Sequence, residues 1–511
     1  MKKEIPPYIN FNNTFLRTPI LPYTSYLEFT SSRIVDDVNL LQLFSNPLIK
    51  EAIYLASPSF YKIAEKWYNG ETIENKKKNR IKNTLLKYYS RMSSRCTPFG
   101  LFSGTSIGEF SEKTKIELLD NFQFNRTTRL DMNYIVNLTQ YLAKVKNIKT
   151  QILFFPNTSI YKIGRKLRYV ESNCIKKYRT YELIEIEDNE YLQIILKSAT
   201  KGVLLTDLIK ELLTYEIEFE NASDYVEQLV SSQLLVSELE VSISGESGLD
   251  EIYQVISKTK SNNTVLGNIF RLKNAVNDLD GVIGNSPEKY SNIYKLTKKL
   301  GIESDENQLF QVDMSLNSKT NIINKKNLGI INEIIILFNK TSISWESQHF
   351  EVFKKSFKKR YEDREVPLPI ALDAELGIGY QKTSNKPYDK NVLADDINFS
   401  KNTNKNETTF FYWTEADKII HQKIIEAFKS DSYSINITEG DFKNLKADWN
   451  DLPDTISLKL EIYDIKGKEK MFVTPIGNSG SANLMSRFCH LDDEVNSFVN
   501  QIIEKETFLN Q

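Results

Sequence analysis

The sequence predicts an α+β protein of mixed sheets and packed helices, with a winged helix-turn-helix unit inserted in it. Three observations carry that prediction. Runs with apolar residues at helical spacing are interspersed with short stretches of apolar–polar alternation, so neither element type dominates. Strand-like segments between residues 159 and 187 are followed by three short helical runs, as in a winged helix. Phe310-Gln311-Val312-Asp313-Met314-Ser315-Leu316 alternates as a strand set between helical segments.

In chain order, helices are expected around Asn39–Leu55, Ser57–Tyr68 and Lys76–Met92, then a strand over Leu101–Phe110 and a helix over Met132–Lys144. Within the third helix Ile81, Leu85, Tyr88 and Met92 face a core, while Arg80, Lys87 and Arg91 fall on another face. Pro98 and Gly100 then turn the chain. Ser159–Ile163, Leu167–Glu171 and Tyr178–Glu187 read as strands, and Tyr191–Ala199, Thr206–Leu213 and Ala222–Val236 as helices. Residues 248–300 are helical, with Ile252, Val255, Ile256 and then Ile269, Leu272, Val276 on repeating faces. After the 310–316 strand come helices over Leu328–Asn339 and Trp345–Tyr361, a rigid Pro- and Gly-bearing loop over Val366–Tyr380, and a polar, mobile loop over Thr383–Asn406. A prior of about 150 residues per domain suggests three units, placed at 1–149, 150–245 and 246–511.

Composition bounds the function classes. Across 511 residues, 66 Lys and Arg against 67 Asp and Glu leave a net charge of -1, which argues against wholesale coating of nucleic acid but allows a local basic patch. Hydrophobic residues at 40%, with 28 Phe and 26 Tyr, can build a sizeable core. Cys96, Cys174 and Cys489 are too scattered for a disulfide framework or thiolate zinc site, which fits a reducing cytosol. With only His349, His421 and His490, neither a metal centre nor a Ser-His-Asp triad is expected. Met1-Lys2-Lys3-Glu4-Ile5-Pro6-Pro7 has no apolar signal core, and no run of about 18 apolar residues occurs, so secretion and membrane spanning are disfavoured. No Walker-type loop is present, so ATP-driven activation is not expected.

The charge that matters is local. Lys76, Lys77, Lys78, Arg80, Lys82, Lys87, Arg91 and Arg95 follow one another with no acidic residue between them. Such a run is ordinarily a solvated face, but this one ends where Arg91, Arg95 and Thr97 meet a Pro98-Phe99-Gly100 turn, and guanidinium forks bind phosphate or carboxylate. Asp131, just before an apolar run, suits a helix N-cap as well as a site. Asp313, in an otherwise apolar strand, must reach water, a partner or a site. Gly477-Asn478-Ser479-Gly480-Ser481-Ala482-Asn483 leads towards Arg487 and reads either as an anion cradle or as an ordinary turn. His490 is read as structural, and Asp373 with Glu375 makes a poor calcium site. On the last two helices of the winged unit and the link between them, Asp207, Glu211, Glu216, Glu218, Glu220, Asp224 and Glu227 face only Lys210, a charge balance that repels DNA.

Ser90 through Gly104 closely resembles the signature of class I lanthipeptide (lantibiotic) dehydratases. The resemblance returns at Phe15-Leu16-Arg17, Thr128-Arg129-Leu130-Asp131, Phe310-Gln311-Val312-Asp313, Val366-Pro367-Leu368 with Asp373 through Tyr380, and Ser481 through Phe488, in the family's order across almost the whole chain. It implies an N-terminal glutamylation domain that moves glutamate from glutamyl-tRNA, a co-substrate rather than a bound cofactor, onto Ser and Thr hydroxyls of a precursor peptide. It implies catalytic roles for Arg17, Arg91, Arg95, Thr97, Asp131, Asp313 and Arg487, which must converge, and tRNA contacts from Lys76, Lys77, Lys78, Arg80, Lys82 and Lys87. The winged unit would then bind the precursor's leader as an added strand.

Family members continue beyond the matching block, so a truncated form or a second, downstream polypeptide is expected, with elimination left to a partner chain. A homodimer is left open. The expected location is the cytoplasm, with a peripheral place in a membrane-bound biosynthetic complex also open. Three readings compete: a glutamyl-tRNA-dependent transferase, a leader-binding module serving separate enzymes, and a plain RNA-binding protein. The set of Arg and Asp residues favours the first, because a pure binder has no use for them.

Overall fold

The structure is a computed structural model that describes residues 6–510 apart from 33, 121–122, 176–177, 243–246, 261–262, 343–347, 375, 381–412, 451 and 477–479. The Thr383–Asn406 segment, Glu375 and Gly477–Ser479 therefore lie outside the described residues. Among those described, no helix is long and apolar enough to cross a membrane.

Strand β1 (Asn13–Pro19) is followed by a helical stretch. The single helix expected over 39–55 is two, Asp37–Ser45 and Pro47–Ala56, because Pro47 has no N–H to continue the first and instead starts the second, with Asn46 as its N-cap. Ser57 caps Pro58–Tyr68, and the basic helix runs Asn75–Ser94. It buries Ile81, Leu85, Tyr89 and Met92, with Tyr88 half-buried beside them. The chain turns at Gly100, whose φ of 52° suits glycine, and enters β2 (Ser103–Ser111), β3 (Lys115–Leu118) and β4 (Asn125–Leu130).

Next come β5 (Leu153–Pro156), β6 (Tyr161–Ile163), β7 (Lys166–Ile175) and β8 (Tyr178–Glu187), then helix Glu190–Ser198, the two-residue β9 (Val203–Leu204), helices Leu205–Leu213 and Phe219–Ser231, and β10 (Leu235–Ser237). The helix expected over 222–236 stops at Ser231; Gln233, at φ 57°, turns the chain so that Leu235–Ser237 can pair with β5. One small sheet has the order β10-β5-β9 and another β6-β7-β8. Leu192, Ile195, Leu208, Leu212, Val226 and Leu229 join the same buried apolar cluster as the N-terminal helices.

Helices Gly248–Ser257, Asn263–Asn277 and Pro287–Lys299 lead to β11 (Phe310–Ser315) and β12 (Ser318–Asn324). These complete the main sheet, of order β3-β12-β2-β11-β4 with β1 along β2. Gly104 permits the junction: a Cβ there would stand 2.7 Å from the Met314 carbonyl and from Leu316 Cγ, so a side chain would push β11 off β2. Helices Asn327–Thr341 and Gln348–Tyr361, the hairpin β13 (Ser457–Ile465) and β14 (Lys468–Ile476), and a final helix Asp493–Leu509 follow.

The main sheet is covered on both faces. Val312, Met314 and Leu316 enter the large helical core, whereas Phe15 and Ile107 meet a second cluster of Met485, Phe488, Val495, Phe498, Val499 and Ile502 from the C-terminal segment. That segment is moored by Ser481, whose N–H donates to Thr455 Oγ1 (2.8 Å), which in turn donates to Glu506.

A buried polar knot fastens β4 to the helices. Arg126, fully buried, donates to Glu51, to Thr128 Oγ1 (2.8 Å) and to Tyr290 Oη (2.8 Å). Glu51 also accepts from the backbone N–H groups of Gly284 (2.6 Å) and Asn285 (2.9 Å). Losing one partner leaves the other charge stranded in a dry interior. Arg126→Leu should therefore destabilise the chain by about 3–5 kcal/mol, read as a lower urea midpoint at unchanged m-value.

Candidate active site

The alternation of β11 puts Gln311, Asp313 and Ser315 on the face opposite Val312 and Met314. Beyond the exposed Gln311, that polar face is no solvent face. Asp313 is only 2% exposed, because the turns Ser481–Leu484 and Ser486–Phe488 and the start of the last helix lie over it. Ser315 Oγ donates to Asp492 Oδ2 at 2.9 Å along the same line.

Asp313 is met by basic side chains from two sides. Arg487 Nη2 donates to Oδ1 at 2.9 Å, Arg129 Nη2 donates to Oδ2 at 3.3 Å, and His490 Nε2 stands 3.6 Å from Oδ2. Arg129 arrives from β4, where Thr127 is the register partner of Asp313 and Arg129 lies diagonally. Burial by itself pushes the Asp313 carboxyl up, but His490, Arg487 and Arg129 outweigh it and hold it below its ordinary 3.8.

Arg17 completes the cluster from β1. Its guanidinium donates to the Leu484 carbonyl at 2.8 Å and lies 5.5 and 5.9 Å from the rings of Phe15 and Phe488. Burial lowers its pKa, and the neighbouring Arg487 charge lowers it further. Burial does the same to Arg129, with Asp313 opposing and Arg487 adding to the shift. Two guanidinium groups thus share one buried carboxylate with a third beside Arg487, an excess of positive charge suited to a phosphate, a carboxylate or a developing oxyanion.

Of the residues expected from the sequence, Arg17, Asp313 and Arg487 are brought together. Arg91, Arg95 and Thr97 occupy the end of the basic helix and the turn after it, tied to the β1 end by Leu21 N–H donating to the Met92 carbonyl at 3.0 Å. Among the described residues no hydrogen bond or ion pair joins them to Asp313. Arg91 lies 4.7 Å over Phe99 and 5.9 Å over Phe102, with its Nε buried and unpartnered, while Arg95 and Thr97 are exposed. Asp131 caps helix Met132–Leu142 through the Asn133 N–H (2.9 Å), and the pairing Phe310↔Leu130 puts it beyond the far end of β11 from the cluster. Arg129, two residues earlier, is the residue of this motif that reaches Asp313.

Tertiary structure divides the basic run. Lys78 and Lys82 both bind Asp37, the first at 2.5 Å, so tertiary structure supplies the acid absent from the run. Lys76, Lys77, Arg80 and Lys87 remain exposed. Lys76, Arg80, Lys87 and Arg91 share one helix face at 100° per residue. Arg129 was legible in principle, since period-2 alternation puts it on the Asp313 face of its strand; for His490, read as structural from the sequence, the available signal was its spacing of three from Arg487.

A family model described as "Lantibiotic dehydratase, N terminus" matches residues 45–510. The chain belongs to the lantibiotic dehydratase family, and what it represents is the family's N-terminal portion. It is 24% identical over 515 residues to epidermin biosynthesis protein EpiB of Staphylococcus epidermidis, covering 98% of this chain and 48% of that protein. It is also 24% identical to nisin biosynthesis protein NisB of Lactococcus lactis subsp. lactis, covering 94% and 46%. The chain thus spans about half the length of the curated relatives it matches. Its fold is that of the tRNA dependent lantibiotic dehydratase MibB from Microbispora sp. 107891, with a TM-score of 0.69 at 18% identity over 91% of this chain and 43% of that one.

The Asp313 cluster has a measurable signature. A carboxyl held below its unfolded value contributes stability that is complete above the unfolded pKa and is lost as pH falls through the folded one. Asp313→Asn should cost about 1–3 kcal/mol near neutrality, and its deficit against the wild type should shrink below about pH 4, measured by urea unfolding across pH.

Proposed function

We propose that this chain transfers glutamate from glutamyl-tRNA to Ser and Thr hydroxyls of a ribosomally made precursor peptide, the first step of dehydration in lanthipeptide biosynthesis. The observation that carries the reading is the gathering of Arg129 and Arg487 on buried Asp313, with Arg17 beside Arg487, in a lantibiotic dehydratase chain.

In the reaction the acceptor hydroxyl oxygen bonds to the ester carbonyl carbon, the bond from that carbon to the ribose oxygen of the tRNA breaks, and the hydroxyl proton ends on that ribose oxygen. Guanidinium groups preorganised in a partly dry site stabilise the oxyanion formed on the way and can hold the glutamyl carboxylate. Asp313 keeps Arg129 and Arg487 in place without neutralising all three arginines. Arg91, Arg95 and Thr97, with the exposed cations Lys76, Lys77, Arg80 and Lys87, would receive the tRNA phosphates. No bound cofactor is required, since the ester carries the activation. Elimination of glutamate is a separate step, assigned to a partner domain or chain.

The segment from β5 to β10 is read as the winged helix that receives the leader peptide. Its order of helix, short strand, two helices and strand supports this, as do the exposed Asp207, Glu216, Glu218, Glu220 and Asp224, which disfavour nucleic acid.

Two measurements test the proposal. With glutamyl-tRNA and a Ser/Thr-rich precursor encoded beside this gene, mass spectrometry should find added glutamate on the peptide, and Arg487→Ala should lower the rate about 100- to 1,000-fold; dehydrated product without any glutamyl intermediate would overturn the chemistry. In tRNA binding, Lys76→Ala plus Lys77→Ala should reduce the salt slope by roughly 0.7 to 0.9 for each phosphate that is no longer neutralised. Lys78→Ala plus Lys82→Ala should change it less, because Asp37 holds both ammonium groups and already offsets one of the two charges.

A further inference from the structure

We propose that His490 is a positioning residue of this site: its imidazole holds the Asp313 carboxylate and, through it, aims Arg487 and Arg129. Only the kinetic arm of the test below rests on the glutamyl-transfer reading.

The backbone between Arg487 and Asp492 sorts its side chains. Phe488 and Leu491 join the apolar cluster against Phe15, Ile107 and Val495. Arg487, His490 and Asp492 serve the polar face of β11, the first two at Asp313 and the third at Ser315. A spacing of three brings Arg487 and His490 to the same carboxylate, as it does on any tight helical turn. The His490 side chain is 12% exposed, and among the described residues its Nε2 has no hydrogen-bond partner and is shut off from solvent. A ring nitrogen kept from water is costly unless something answers it. The polar group it faces is Asp313 Oδ2 at 3.6 Å, longer than a formed hydrogen bond, so a small shift of either group closes the gap.

The carboxylate depends on that neighbour. Oδ1 accepts from Arg487 at 2.9 Å, while among the described residues Oδ2 has only the 3.3 Å bond from Arg129 besides the imidazole. Each guanidinium makes a single bond to Asp313, so a rotation of the carboxylate would carry both off line. The charged groups facing the imidazole are Asp313 from β11, Arg129 from β4 and Arg487 from its own segment, with Arg17 of β1 beyond Arg487. Of the influences that keep Asp313 ionised against burial, His490 is among the largest. A histidine packed only for its volume would leave this carboxylate unaffected.

The test compares His490→Leu and His490→Gln in the full chain. Leucine keeps the bulk and removes the nitrogen; glutamine keeps an N–H at similar reach. His490→Leu should be less stable than the wild type at neutral pH, with the difference closing below about pH 4 as the carboxylate protonates, and His490→Gln should recover most of it. In glutamyl transfer His490→Leu should lower kcat roughly 10- to 100-fold with KM changed less than about 2-fold, and glutamine should again recover most of the loss. A leucine variant whose stability runs parallel to the wild type at every pH, or a glutamine variant no better than leucine, would reduce His490 to a packing residue. If leucine prevents folding, His490→Asn, which retracts the N–H, takes its place in the same comparison. Absence of glutamyl transfer by the wild type counts against the proposed function alone, because the stability arm still decides the role of His490.

Discussion

A carboxylate placed in the middle of a sheet and covered on that face cannot stay ionised unaided, and much of this molecule follows from how Asp313 is answered. Its desolvation is offset by Arg129 from the neighbouring strand and by Arg487 and His490 from a segment more than 170 positions away. The strand is therefore not simply apolar on one side and wet on the other. Its second face is a polar seam that only the C-terminal segment can close.

That closure depends on packing remote from the charges. Met485, Phe488, Phe498 and Ile502 bury apolar surface against Phe15 and Ile107, and the Thr455–Glu506 mooring holds the turn at Ser481. Gly104 lets β11 approach β2 closely enough for Arg17 of β1 and Asp313 of β11 to address one site. The Glu51–Arg126 knot does equivalent work on the opposite face, where β4 must be held for Arg129 to point correctly. The two arginines of β4 thus have opposite tasks, one locked into the core and one turned to the site.

The basic helix shows how a charge run is edited by its surroundings. Two of its lysines are occupied by Asp37, and what remains to solvent is a narrower stripe ending at Arg91 on its aromatic ledge of Phe99 and Phe102. A stripe of that kind suits a polyanion better than a uniformly charged helix, because Lys76, Arg80, Lys87 and Arg91 point one way.

The sequence by itself determined the local elements and most of the residue types at the site. Alternation marked β11, helical spacing marked the buried face of the basic helix, and the Asp before an apolar run marked a cap, because these are nearest-neighbour effects of backbone geometry and burial. The family's motifs named Arg17, Asp313 and Arg487. Tertiary structure alone decided that Arg129 faces the carboxylate, that Lys78 and Lys82 share Asp37, and that His490 stands against Asp313. Each of these depends on a partner far away in the chain. Periodicity reports which way a side chain points, and only the packed fold decides what it meets.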